Sequence, residues 1–290
     1  MTAALACAVL LGGCSSGASG STSTAGDRPT DRRTLEVTLA PEPPGIRLSF
    51  IQQRFDEGTA RAAITMMNYS GHPMRVRRVG LDWPGYPGGP QRRPYVVPSG
   101  FTVDLRYRLP VPRCGGDPFR TAPIGVAVTG SRTVRRPIDA QGLRFLRRIW
   151  AMDCNERLLA RTVRLEYDGP WRHGRRGREP ALVGSLRLQR LSGGAPVALT
   201  EIQGSPIFAL SLGRPRLLRP SARAVSVPLF VTSGHRCDPH SRAAVTTPFT
   251  FRLWATIAGE PVTVIAVPRE RVQVRMLAFL DRACAEETGQ

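Results

Sequence analysis

The chain reads as an all-β-dominated protein: two tandem antiparallel β-sandwich units, each ending in a helix pinned by a disulfide. Three observations predict this. Short apolar or alternating segments recur roughly every 8–14 residues between turn residues, the spacing of antiparallel sandwiches. The 29 glycines and 26 prolines favour turns over long helices. The second half of the chain also echoes the first in order and spacing.

Taken in order, strand signals in the first half fall at 35–40, 46–52, 61–69, 74–81, 101–109, 123–129 and 133–138. The clearest is 101–109, where Phe101, Val103, Leu105, Tyr107 and Leu109 alternate with Thr102, Asp104, Arg106 and Arg108. That period of two fits a strand with one buried face. The stretch 141–154 changes period: Leu143, Leu146, Trp150 and Cys154 recur at helical spacing. The second half repeats the plan, with strand signals at 162–167, 182–191, 196–202, 207–212, 223–232, 248–257 and 261–267. A helical stretch at 269–284 closes it, with Val272, Met276, Leu280 and Cys284 on one stripe.

The echo is sharpest around the cysteines. Pro98-Ser99, a strand, Cys114 and Asp117-Pro118 match Pro220-Ser221, a strand, and Cys237-Asp238-Pro239. In each half a helical stretch then ends on cysteine, Cys154 or Cys284. Four cysteines allow three pairings, and duplication selects the one inside each unit, Cys114–Cys154 and Cys237–Cys284. The expected boundaries are a leader at 1–13, a tether at 14–34, and units at 35–157 and 158–290. Over about 34–155 and 160–290 the arrangement resembles immunoglobulin-like domains at the level of architecture. It departs from antibody domains in lacking their buried tryptophan and their cysteine spacing, and such a likeness carries no chemistry.

Upstream of the units, Leu11-Gly12-Gly13-Cys14 follows a short apolar run and precedes Ser15-Ser16-Gly17. It resembles the lipobox of bacterial lipoproteins. The resemblance implies loss of residues 1–13 and a membrane-anchoring lipid on Cys14, hence an extracytoplasmic location. The run from Ala3 to Leu11 has the length of a secretory apolar region and is too short to span a bilayer. The Ser/Gly/Thr-rich segment that follows cannot bury enough apolar surface to fold and reads as a flexible tether.

The formal net charge is +19, and all 41 basic residues are arginine. The absence of lysine looks like genomic base-composition bias, as in actinobacteria. The excess over 22 acids is not explained by that bias, and favours anionic partners outside the cell: lipid headgroups, acidic envelope polymers, or an envelope protein. Nucleic acid is not expected for an exported chain that carries no recognition motif.

Few residues stand out as sites. Trp83 and Tyr86, on a Pro/Gly-rich loop, suit peptide or glycan contact. Trp171, Arg172, Arg175 and Arg176 lie in the densest basic segment, read as a loop able to engage phosphate or carboxylate groups. His235 and His240 flank Cys237 and offer a metal or hydrolase reading. That reading weakens if Cys237 is disulfide-bonded, because its sulfur is then no thiolate ligand. No cofactor is expected. The combined reading is an exported, lipid-anchored, non-catalytic binding or scaffold protein.

Overall fold

In a computed structural model, residues 45–130, 132–214 and 217–288 are described. The leader, Cys14, the tether and the strand expected at 35–40 lie outside them.

Among the described residues fifteen strands form four antiparallel sheets. The first half contains β1 (Gly45–Ile51), β2 (Arg61–Tyr69), β3 (Met74–Asp82), β4 (Gln91–Val97), β5 (Thr102–Arg108), β6 (Ile124–Thr129) and β7 (Arg132–Pro137). They are ordered β1-β2-β5 in one sheet and β4-β3-β6-β7 in the other. Both sheets feed one buried cluster: Leu48, Phe50, Ile64 and Met66 from the first, Val76, Val79, Leu81 and Ala127 from the second.

The second half contains β8 (Val163–Arg176), β9 (Glu179–Arg190), β10 (Val197–Gln203), β11 (Ala209–Leu212), β12 (Leu217–Leu218), β13 (Ala224–Thr232), β14 (Phe251–Ile257) and β15 (Glu260–Ala266). The orders are β11-β13-β9-β8 and β12-β10-β14-β15. Leu186, Leu188, Val227, Leu229, Leu199, Phe251 and Leu253 form the second cluster. Apart from β11, the two halves share one strand order, with β1, β2 and β5 answering to β8, β9 and β13.

Helix α1 (Ala140–Thr162) begins at Asp139, whose carboxylate accepts from Gly142 N at 2.7 Å and from Ser49 Oγ at 2.8 Å. Position 142 must be glycine, because a Cβ there would lie 2.5 Å from Phe50 N. The helix runs eight residues past the expected end at Cys154. Nothing in Asn155–Arg161 breaks it, so the boundary drawn at 157/158 falls within a continuous helix. Leu146 and Ile149 enter the first core, while Leu159 enters the second. The described residues accordingly form one compact unit. Helix α3 (Glu270–Thr288) packs Val272, Met276, Phe279 and Leu280 into the second core, and a short α2 (Pro239–Ala243) follows Cys237. Among the described residues no helix is long and apolar enough to cross a membrane.

Both expected disulfides are present. Cys114–Cys154 joins the loop after β5 to α1, and Cys237–Cys284 joins the loop after β13 to α3.

β4 and the basic segment 171–178 also differ from expectation. β4 gave no strand signal because only Val97 is buried and Pro94 interrupts it; it is an edge strand, where a missing N–H is tolerated. The basic segment 171–178, expected as a loop, is mostly the end of β8. Its register with β9 slips between Asp168 and Arg172, then continues to a tight turn at Gly177-Arg178. Gly177 adopts φ +62°, the left-handed conformation such hairpin turns require.

Candidate functional site

A cavity of about 720 Å³ opens where the two halves meet along α1. Gln52, Gly58, Thr59 and Ala60 line one side, and Ile265 of β15 stands across from them. Gly58 is required here, since a Cβ would lie 2.8 Å from Ile265 Cγ2 and φ is +75°. Beside it Glu57 bridges the halves, 3.8 Å from Arg148 of α1 and 3.6 Å from Arg252 of β14. The segment Leu109–Pro112 supplies an apolar wall, and Arg108 and Arg157 add positive charge.

The chemistry on the helix side comes from Ile149, Asp153 and Glu156, which line the cavity at i, i+4, i+7 spacing. Tyr86 Oη donates to Asp153 Oδ2 at 2.6 Å. Burial raises the Asp153 pKa above the ordinary carboxylate range, and the Tyr86 hydrogen bond partly opposes it. Glu156 is raised too, first by desolvation and then by the neighbouring Asp153 charge. Burial, then Asp153, pushes the Tyr86 hydroxyl upward, so it stays protonated and remains the donor. The cavity therefore offers two carboxyl groups with raised pKa values, between cationic and apolar walls. Such groups can donate to or accept from hydroxyl or amide groups. The spacing on α1 was the one sequence signal that could have singled out Asp153 and Glu156.

The residues expected as ligand contacts fare differently. Trp83 and Tyr86 are corrected: they are 3% and 1% exposed and belong to the core. Trp83 lies over Gly85, donates from Nε1 to Pro118 O at 3.0 Å, and packs against Phe119 with ring centroids 4.7 Å apart. Their loop folds inward because burying large aromatic rings is favourable. Trp171 is partly buried, its ring against Gly184 of β9. Arg172, Arg175 and Arg176 are exposed on the hairpin, with Arg176 over the Phe230 ring at 4.6 Å.

His235 and His240 do not converge on a metal-ligand set. Cys237 is held in its disulfide, His235 Nδ1 lies 3.3 Å from Glu287 Oε1, and His240 is exposed on α2. Among the described residues no three His, Cys, Asp or Glu side chains are grouped to hold a metal ion.

No family model matches the chain, and neither does any curated protein. Among solved structures, one described as "Biofilm associated protein - BSP domain" is matched at 8% identity and a TM-score of 0.22 over 77% of this chain. The chain spans 58% of that one.

Proposed function

We propose that this is an exported protein, anchored through lipid on Cys14, that serves at the cell envelope as a non-catalytic binding or scaffold module. In this reading its body is two tandem immunoglobulin-like sandwich units. The observation that carries the proposal is the repeated staple: in each half one disulfide ties the loop after the equivalent strand to the closing helix. Disulfides persist in oxidising compartments outside the cytosol, which agrees with the lipobox-like Leu11-Gly12-Gly13-Cys14. The junction cavity and the arginine-rich surface are the surfaces such a module would present to envelope components.

The test is expression of the full chain with its own leader, with palmitate labelling and cell fractionation. The reading expects labelled protein in the membrane fraction, and unlabelled protein when Cys14→Ala is introduced. Unlabelled wild-type protein in the cytosol overturns it.

A further inference from the structure

A second concavity, about 570 Å³, lies between β4 and β5 on the first half. Its walls carry Arg61 of β2, Arg93 of β4, and Arg106 and Arg108 of β5, and Tyr95 stands beside them at 50% exposure. Only one acidic residue lines it. That residue, Asp104, is already engaged by neutral donors: Thr65 Oγ1 at 2.6 Å and Gln53 Nε2 at 2.5 Å. Among the described residues it forms no ion pair with an arginine.

The arginines divide into two pairs. Arg106 is held by the buried Asp56 carboxylate and lies over the Phe55 ring at 4.8 Å, while Arg93 Nε donates to Arg106 O. These two are positioned by the protein itself. Arg61 and Arg108 stand directly opposite each other across β2 and β5. Both are exposed, and neither forms an ion pair among the described residues. Like charges placed directly opposite on a sheet are destabilising. A bound anion would relieve that repulsion, and guanidinium groups match carboxylate and phosphate oxygens in paired geometry.

We propose that this groove binds an anionic sugar, a phosphate- or carboxylate-bearing unit of an envelope glycan. The inference deepens the binding-module reading and rests on it. The volume is that of a small-ligand site. A concave wall can enclose a sugar ring, with its anion between Arg61 and Arg108 and a face against Tyr95 and Pro94. A flat bilayer surface would reach only the rim.

The experiment is calorimetric titration of the full mature chain with oligogalacturonate, a hexose phosphate, a neutral glucose oligomer, and phosphatidylglycerol vesicles. The groove predicts binding of the two anionic sugars and not of the neutral oligomer. Arg61→Ala with Arg108→Ala should weaken it at least tenfold, and Tyr95→Ala several-fold. Arg271→Ala with Arg282→Ala, both exposed on α3, removes the same charge from the other half and should change affinity less than twofold. Circular dichroism and intact disulfides establish that each variant is folded, and Arg61→Lys with Arg108→Lys tests geometry at constant charge. Equal losses from both alanine pairs, absence of sugar binding, or vesicle binding alone overturns the groove. Membrane retention through Cys14 without sugar binding would sink the groove and leave the anchored-module reading standing. Sugar binding by a protein found unlabelled in the cytosol does the reverse.

Discussion

β5 and β13 occupy the same place in their sheets, yet they are finished differently. β13 has a neighbour on its outer side: β11 pairs Ala209–Leu212 with Thr232–Leu229. Among the described residues β5 has no such strand. Its outer edge is instead capped by side chains from β4, with Gln91 bonded to both the N–H and the C=O of Arg108 and Arg93 to the C=O of Arg106. An unpaired edge invites further strand pairing, and both halves suppress it, one with backbone and one with side chains. The side-chain solution leaves a concavity lined with arginine where the backbone solution leaves a filled sheet. The closing helices differ too. α3 serves one core, whereas α1 places Leu146 in one core and Leu159 in the other. Repetition of strand order thus leaves room for one half to specialise in surface chemistry.

The largest expected effects come from the staples. Each disulfide closes a loop, spanning 40 or 47 residues, whose restriction contributes about 4 kcal/mol. Cys114→Ser with Cys154→Ser should lower urea stability by that order and raise hydrogen exchange in both halves, because α1 belongs to both. Cys237→Ser with Cys284→Ser should cost a similar amount but confine the added exchange to the second half. Identical exchange patterns would erase the distinction between the helices. Next in size is Leu159→Ala, which opens a cavity in the second core from a helix stapled to the first. A loss of about 3 kcal/mol is expected in urea melts, with a single unfolding transition retained. Two separated transitions would show that the halves unfold independently.

The Tyr86–Asp153 contact comes third. Tyr86→Phe removes a charge-assisted hydrogen bond and should cost about 2 kcal/mol near neutral pH. Asp153 and Glu156 both have raised pKa values in the folded state. Their contribution to stability is therefore fully present below the unfolded carboxylate value of about 4, and is lost as pH rises through the raised folded values. Asp153→Asn should flatten part of that decline: it matches the parent at pH 3.5 and exceeds it at pH 7 in urea midpoints. A parent stability that rises with pH, and a variant that tracks it, would contradict the assignment. The smallest effect is Gln91→Ala, about 1 kcal/mol, with faster exchange at the Arg108 amide. The corresponding edge of β13 is held over Leu229–Thr232 by backbone pairing with β11.

Much of the placement of strands along the chain was legible because burial alternates along them. β2 falls at 61–69 as its pattern indicates, and β14 and β15 follow their apolar residues closely. β4 and the outer part of β8 were not legible, for the same physical reason. Their residues face solvent and are strands only because β3 and β9 hydrogen-bond to them. The overrun of α1 past Cys154 was hidden by treating the cysteine as a terminus. The cysteine pairing was legible through the repeat. The sites were less so. Asp153 and Glu156 meet Thr59 and Ile265 only after the two halves come together on α1, and Arg61, Arg93, Arg106 and Arg108 converge only through sheet pairing and the close approach of β4 to β5. Trp83 and Tyr86 drew attention as loop aromatics, but a loop that folds over its own aromatics looks the same in sequence as one that displays them.

The most direct test of the account is non-reducing peptide mapping by mass spectrometry on protein produced with its own leader. Two halves each stapled to a helix, together with the proposed N-terminal anchor, predict Cys114–Cys154 and Cys237–Cys284 linked peptides and lipid on Cys14. Bridges between the halves, free thiols at these four positions, or an unmodified Cys14 would contradict it.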